Sequence, residues 1–165
     1  MQRGRLIPGE ARGISGTLYG TIIVMATLAA GSRGGATDTG HLAAIVAVTV
    51  LVLWVAHVYS HVIGESLAEG RRLDRAEFTE IARREWSMPA AGAIPVLLLV
   101  LGGLGVLDDQ RAVWLALASG VATLAIVGAR YARLERFGRL GTAVTVAVNV
   151  LLGLVIVALE VLLAH

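Results

Sequence analysis

The sequence predicts an all-α, membrane-spanning bundle of about five helices. Three observations predict it. Of the 165 residues, 56% are apolar, only 16% are charged, and the mean hydropathy is +0.77; a soluble domain carries about a quarter charged residues. The charges are bunched, and apolar stretches of roughly 18 to 23 residues lie between them, long enough to cross a ~30 Å hydrocarbon core. Finally, the arginines alternate between rich and poor loops. The length suits one domain, residues 1–165.

Span 1 is expected at 14–31, behind a basic segment with Arg3, Arg5 and Arg12. This segment, the apolar run and the small residues Ala29, Ala30 and Gly31 together resemble a secretory signal. The expectation is nevertheless a retained span. Span 2 covers 41–66, with its helix continuing through Glu69. A polar segment follows, predicted as an amphipathic helix near 73–87 lying on the membrane surface. Asp74 and Glu77 form a capping-box pattern. Phe78, Ile81, Ala82 and Trp86 share one face, and Glu80 can pair with Arg84 one turn on. Span 3 is expected at 89–107, opened by Pro89 and kinked by Pro95, which leaves the carbonyl of Ala91 without its donor. Spans 4 and 5 are expected at 112–133 and 142–164.

Orientation follows from arginine near span ends. The N-terminal segment has three arginines, the loop after span 2 has five, and the loop after span 4 has four if Arg130 is counted. The two remaining loops have one each, Arg33 and Arg111. This pattern predicts a multi-pass protein of a bacterial inner membrane, with the N-terminus cytoplasmic and the C-terminus external.

Composition excludes several chemistries. There is no cysteine, so disulfides, thiolate metal sites and cysteine nucleophiles are absent. All fourteen basic residues are arginine, which excludes a lysine Schiff base. The basic residues read as topology signals, so the expected partner is the lipid bilayer and not nucleic acid. Arg130, Arg133, Arg136 and Arg139 recur every third residue, but a cytoplasmic-loop role explains them. No hydrolase or transferase signature appears, so no catalytic residue is expected.

Ionisable groups at membrane depth are costly and mark function or helix contacts. Span 2 carries the clearest set, His57, His61 and Glu65, each four residues after the last and so on one helical face. Histidine changes charge near neutral pH. Two imidazoles and a carboxylate in line suit a path for protons or cations. The same three residues are the candidate metal ligands, although H-x3-H lacks the full zincin pattern. Tyr19, Asn149 and Arg130 lie at similar depth and are expected to extend the polar path, and Glu160 lies toward the other face. Gly16 with Gly20, the glycines at 102, 103 and 105, and Gly120 and Gly128 offer faces for close helix packing or for a homo-oligomer.

Leu53–Leu67, LWVAHVYSHVIGESL, together with Arg84–Pro89, REWSMP, resembles an uncharacterised family of small bacterial polytopic integral membrane proteins. The resemblance implies the membrane class and no activity.

The expected function is an oligomeric proton or cation channel or transporter using the His/His/Glu stripe of span 2. The alternatives are a non-catalytic structural or regulatory membrane subunit, and a haem- or metal-binding membrane protein. No resident cofactor is called for by the first two readings; a metal ion or haem is called for by the third.

Overall fold

The computed structural model describes residues 8–32 and 38–163; within these, the side chains at 8–12, 159–161 and 163 fall outside the description. Arg3, Arg5 and Arg33 therefore lie outside the described residues, and the side chains of Arg12 and Glu160 fall outside the description. The described chain is all-helical: α1 (Pro8–Gly31), α2 (Thr39–Glu69), α3 (Arg75–Arg84), α4 (Ser87–Ala90), α5 (Ala93–Gly103), α6 (Asp109–Leu134) and α7 (Arg139–Leu163). Four helices, α1, α2, α6 and α7, are long and apolar enough to cross a membrane. A further pair, Arg75–Ala90 and Ala93–Gly103, meets at 51° and makes a fifth crossing if the bent pair is one span.

Local chemistry explains where these helices start and stop. The first backbone N–H groups of a helix have no partner within it, and the apolar layer offers no water to supply one. Asp38 opens α2 by accepting from the His41 N–H at 3.0 Å, and Asp108 opens α6 by accepting from the Arg111 N–H at 3.2 Å. Gly70, at φ 64°, closes α2 in the left-handed conformation that glycine takes without strain.

The expected amphipathic helix forms, but as the shorter α3. Its capping box is complete: Asp74 accepts from the Glu77 N–H at 2.8 Å, and Glu77 accepts from the Asp74 N–H at 2.7 Å. Glu80 accepts from Arg84 Nε at 2.9 Å, as the spacing predicts. The Arg71 guanidinium also donates to Glu77, which together with the Asp74 N–H pushes the Glu77 carboxyl down to about 2. The same bond holds Arg71 above the ordinary arginine value.

The segment expected as the third span is helical but not continuous. Pro95 has no N–H for the Ala91 carbonyl, and the chain turns at Ala91–Gly92. Gly92 instead donates to the Pro89 carbonyl at 3.0 Å. At the far end the helix stops at Gly103 and not at 107, because Gly105 takes φ 72° and residues 104–107 form a turn.

α1 and α6 make the centre of the bundle. α2 and α5 pack on one side and α7 on the other, while α4 lies across α1. The core contains Val24, Met25 and Leu28 of α1, Leu42 and Val46 of α2, Leu99 of α5, and Leu117 and Leu124 of α6. Lipid is as apolar as leucine, so burial from water does not hold such helices together; van der Waals fit does. The glycines supply that fit. A Cβ on Gly16 would collide with Ser87 Oγ, and one on Gly20 with the Met88 carbonyl. A Cβ on Gly120 would lie 2.6 Å from Met25 Cγ. Conversely, large apolar side chains stand exposed on the outside, among them Val48, Val52, Val55, Val144, Val148 and Leu151. That inside-out distribution is the one a lipid-facing surface requires.

Candidate cation site

The ends of the bundle differ in chemistry. One carries the arginine-rich connections α2–α3 and α6–α7. The candidate site lies near that end, where the later turns of α2 meet the C-terminus of α3. His57 and His61 lie one turn apart on α2, with ring centroids 4.6 Å apart. Glu85, the residue that caps α3, faces both rings. His57 Nε2 is 3.4 Å from Glu85 Oε2, and His61 Nε2 is 4.0 Å from Glu85 Oε1. One ligand atom from each of the three residues lies within 4.8 Å of the other two.

Burial is uneven across this group. The Glu85 side chain is 8% exposed, whereas those of His57 and His61 are 40% and 42% exposed. A carboxylate taken out of water needs compensation from facing donors or cations. Among the described residues the ionisable groups facing Glu85 are the two imidazoles.

The ring nitrogens of His61 are not equivalent. Nδ1 lies 3.1 Å from the His57 carbonyl oxygen, a partner that can only accept. In the tautomer that donates from Nδ1 to this carbonyl, Nε2 of a neutral ring turns its lone pair toward Glu85. This is the arrangement in which a backbone carbonyl fixes an imidazole as a ligand.

Aromatic rings surround the group. Tyr19 of α1 stacks on His57 with centroids 6.3 Å apart and planes 24° apart. Trp54, three residues before His57, meets Trp86 edge-on at 5.1 Å. Together these rings tie α1, α2 and the end of α3 into one wall.

The structure thus revises the predicted stripe. His57 and His61 come together and Tyr19 joins them, but Glu65 is not part of the three-ligand group. It lies a further turn along α2, half-buried. Glu85 takes its place from another element. The signal for Glu85 was present in the sequence: it follows Ile81 by four residues, so an acid stands on the face that holds the buried Ile81.

Asn149 and Arg130 are placed elsewhere. Asn149 Nδ2 donates to the Thr145 carbonyl of its own helix at 2.9 Å and packs against Gly128. With Ile14, Leu18 and Tyr131 it lines a cavity of about 380 Å³ between α1, α6 and α7. Arg130 lines a second cavity of about 340 Å³ with Thr17, Ser87 and Thr123. Similar depth did not bring these two residues to the histidines. No protein-family profile, curated protein sequence or solved structure matches this chain.

Proposed function

We propose that this protein is a small membrane transporter of cations whose binding station is His57, His61 and Glu85. The observation that carries the reading is the buried Glu85 carboxylate, held against two imidazoles of a neighbouring helix. Such a group attracts positive charge and leaves the imidazoles reachable from outside the bundle. A second feature supports it: the chain that delivers Glu85 runs directly into a broken span. Discontinuous helices beside ion sites are a recurrent construction of secondary transporters, where the break lets one segment move against the rest.

On this reading the arginine-rich end faces the cytoplasm of a bacterial cell, and the station opens to that side. Gly16, Gly20 and Gly120 pack inside the chain. Any association of copies therefore uses other faces, such as the exposed apolar residues of α7.

Flux into proteoliposomes tests the reading, with protons, alkali cations and divalent cations supplied in turn. One or more of these is expected to cross, and flux is expected to fall at least tenfold in His57→Ala and in Glu85→Gln. Full flux in both folded variants, or no flux of any cation in the wild type, defeats the proposal. The second outcome leaves a structural or regulatory subunit and a metal-binding membrane protein as the surviving readings.

A further inference from the structure

The donor set identifies the cation. We infer that His57 Nε2, His61 Nε2 and a Glu85 carboxylate oxygen form a binding site for one divalent transition-metal ion of the zinc type. The inference rests on the reading that this group is a cation site, and it names the cargo.

The first argument is electrostatic. With His61 Nδ1 donating to the His57 carbonyl, a neutral ring presents the Nε2 lone pair to a carboxylate oxygen 4.0 Å away. A positive centre between the acceptors, a proton or a metal ion, relieves their repulsion, and one ligand atom from each of the three residues lies within 4.8 Å of the other two. The 4.0 Å gap is too long for a direct hydrogen bond. It is of the right order for a metal: ligands at ~2.0–2.1 Å from a tetrahedral zinc lie about 3.3 Å from one another. The His57–Glu85 separation of 3.4 Å already has that value, and small side-chain rotations bring in the third ligand.

The second argument is selectivity. Calcium and magnesium take oxygen ligands almost exclusively and in larger number. Two imidazoles and one carboxylate favour zinc, cobalt, nickel or iron(II). Haem fits poorly, because ring centroids 4.6 Å apart leave no room for a macrocycle between the imidazoles.

The third argument is coordination number. The chain supplies three ligands, which leaves a tetrahedral ion one open position. Half-exposed imidazoles give that position access from outside the bundle. An ion held by three protein ligands and one exchangeable water is able to leave, as cargo must.

Cobalt(II) chloride titrated into the full-length protein in detergent micelles tests the inference. The expected result is saturation at one ion per chain, visible bands of tetrahedral cobalt, and displacement by zinc chloride. An excess of calcium or magnesium chloride is expected to displace nothing. His57→Ala, His61→Ala and Glu85→Gln are each expected to weaken cobalt binding about 100-fold. Glu85→Asp, which keeps the carboxylate, is expected to retain more affinity than Glu85→Gln. Glu65→Gln is expected to bind as wild type does. Circular dichroism of each variant separates lost ligands from lost fold.

No saturable cobalt or zinc binding by the wild type overturns the inference, as does unchanged binding by folded Glu85→Gln. Proton or alkali-cation flux that depends on His57, without cobalt binding, overturns the metal and keeps the transporter. Cobalt binding at these ligands without flux keeps the metal and overturns the transporter.

Discussion

The two ends of this bundle differ more in chemistry than in closeness of packing. At the end where α1, α2, α5 and α6 meet, backbones touch. A Cβ on Gly103 would lie 2.7 Å from the Gly40 Cα, and one on Gly102 would lie 2.6 Å from Thr39 Oγ1 and 2.8 Å from the Ala112 Cβ. The buried Thr39 hydroxyl donates to Asp109 at 2.5 Å, joining the first turn of α2 to the first turn of α6. At the arginine-rich end a carboxylate is buried against partly exposed imidazoles, and the helix that follows is broken. Small residues and short hydrogen bonds fix the first end. Polar groups whose hydrogen-bonding capacity is not filled within the chain occupy the second. The ionisable cluster sits at the second end, where α4 also lies close on Gly16 and Gly20 of α1.

Substitutions break this comparison in order of size. Gly102→Val places a branched side chain against Thr39 and Ala112 and is expected to cost about 1–3 kcal/mol, read as unfolding in mixed micelles. Gly64→Val, where nothing lies within 4 Å of the added Cβ, is the matched control and is expected to change little. Equal losses from both would remove the distinction between tight and open glycines. Thr39→Val deletes the hydroxyl bond to Asp109 and is expected to cost about 1–2 kcal/mol. At the other end, Glu85→Gln is expected to leave the metal-free protein as stable as the wild type or up to about 1 kcal/mol more stable, since a buried charge disappears. A large loss of stability there would make Glu85 a structural residue.

The smallest effect concerns acid. Arg71 and the Asp74 N–H hold the Glu77 carboxyl at about 2, below its ordinary value of 4.5. A carboxylate with a depressed folded value stabilises the folded state fully above its unfolded value and loses that contribution as pH falls through the folded one. The α3 cap is therefore expected to hold at neutral pH, to weaken below about 4.5, and to be lost near pH 2. Hydrogen exchange of the α3 amides measures this. Protection that stays constant down to pH 2 would show that the capping box does not hold α3.

Much of the fold was legible because its causes are local. The apolar runs, the Asp74–Glu77 cap, the Glu80–Arg84 pair and the missing donor of Pro95 all act within a few residues. The site was half legible for the same reason: His57 and His61 share a face by helical spacing alone. Glu85 was missed because its partners lie on another helix, and a surface-helix reading assigns an acid to solvent. Depth along a span gives one coordinate of three, and it does not say which faces meet, so Asn149 and Arg130 line cavities apart from the histidines. Gly16 and Gly20 were recognised as a contact face, yet only the folded chain shows Ser87 and Met88 lying on it.

The edge-on Trp54–Trp86 pair gives the protein a built-in optical gauge. The chain contains one other tryptophan, Trp114, near the start of α6. With Trp114→Phe as background and excitation at the red edge, where tyrosine does not absorb, the emission comes from the two indoles flanking the ligands. Paramagnetic cobalt quenches such emission and diamagnetic zinc does not, so comparing the two ions separates occupancy of the site from rearrangement of the rings, with no label attached.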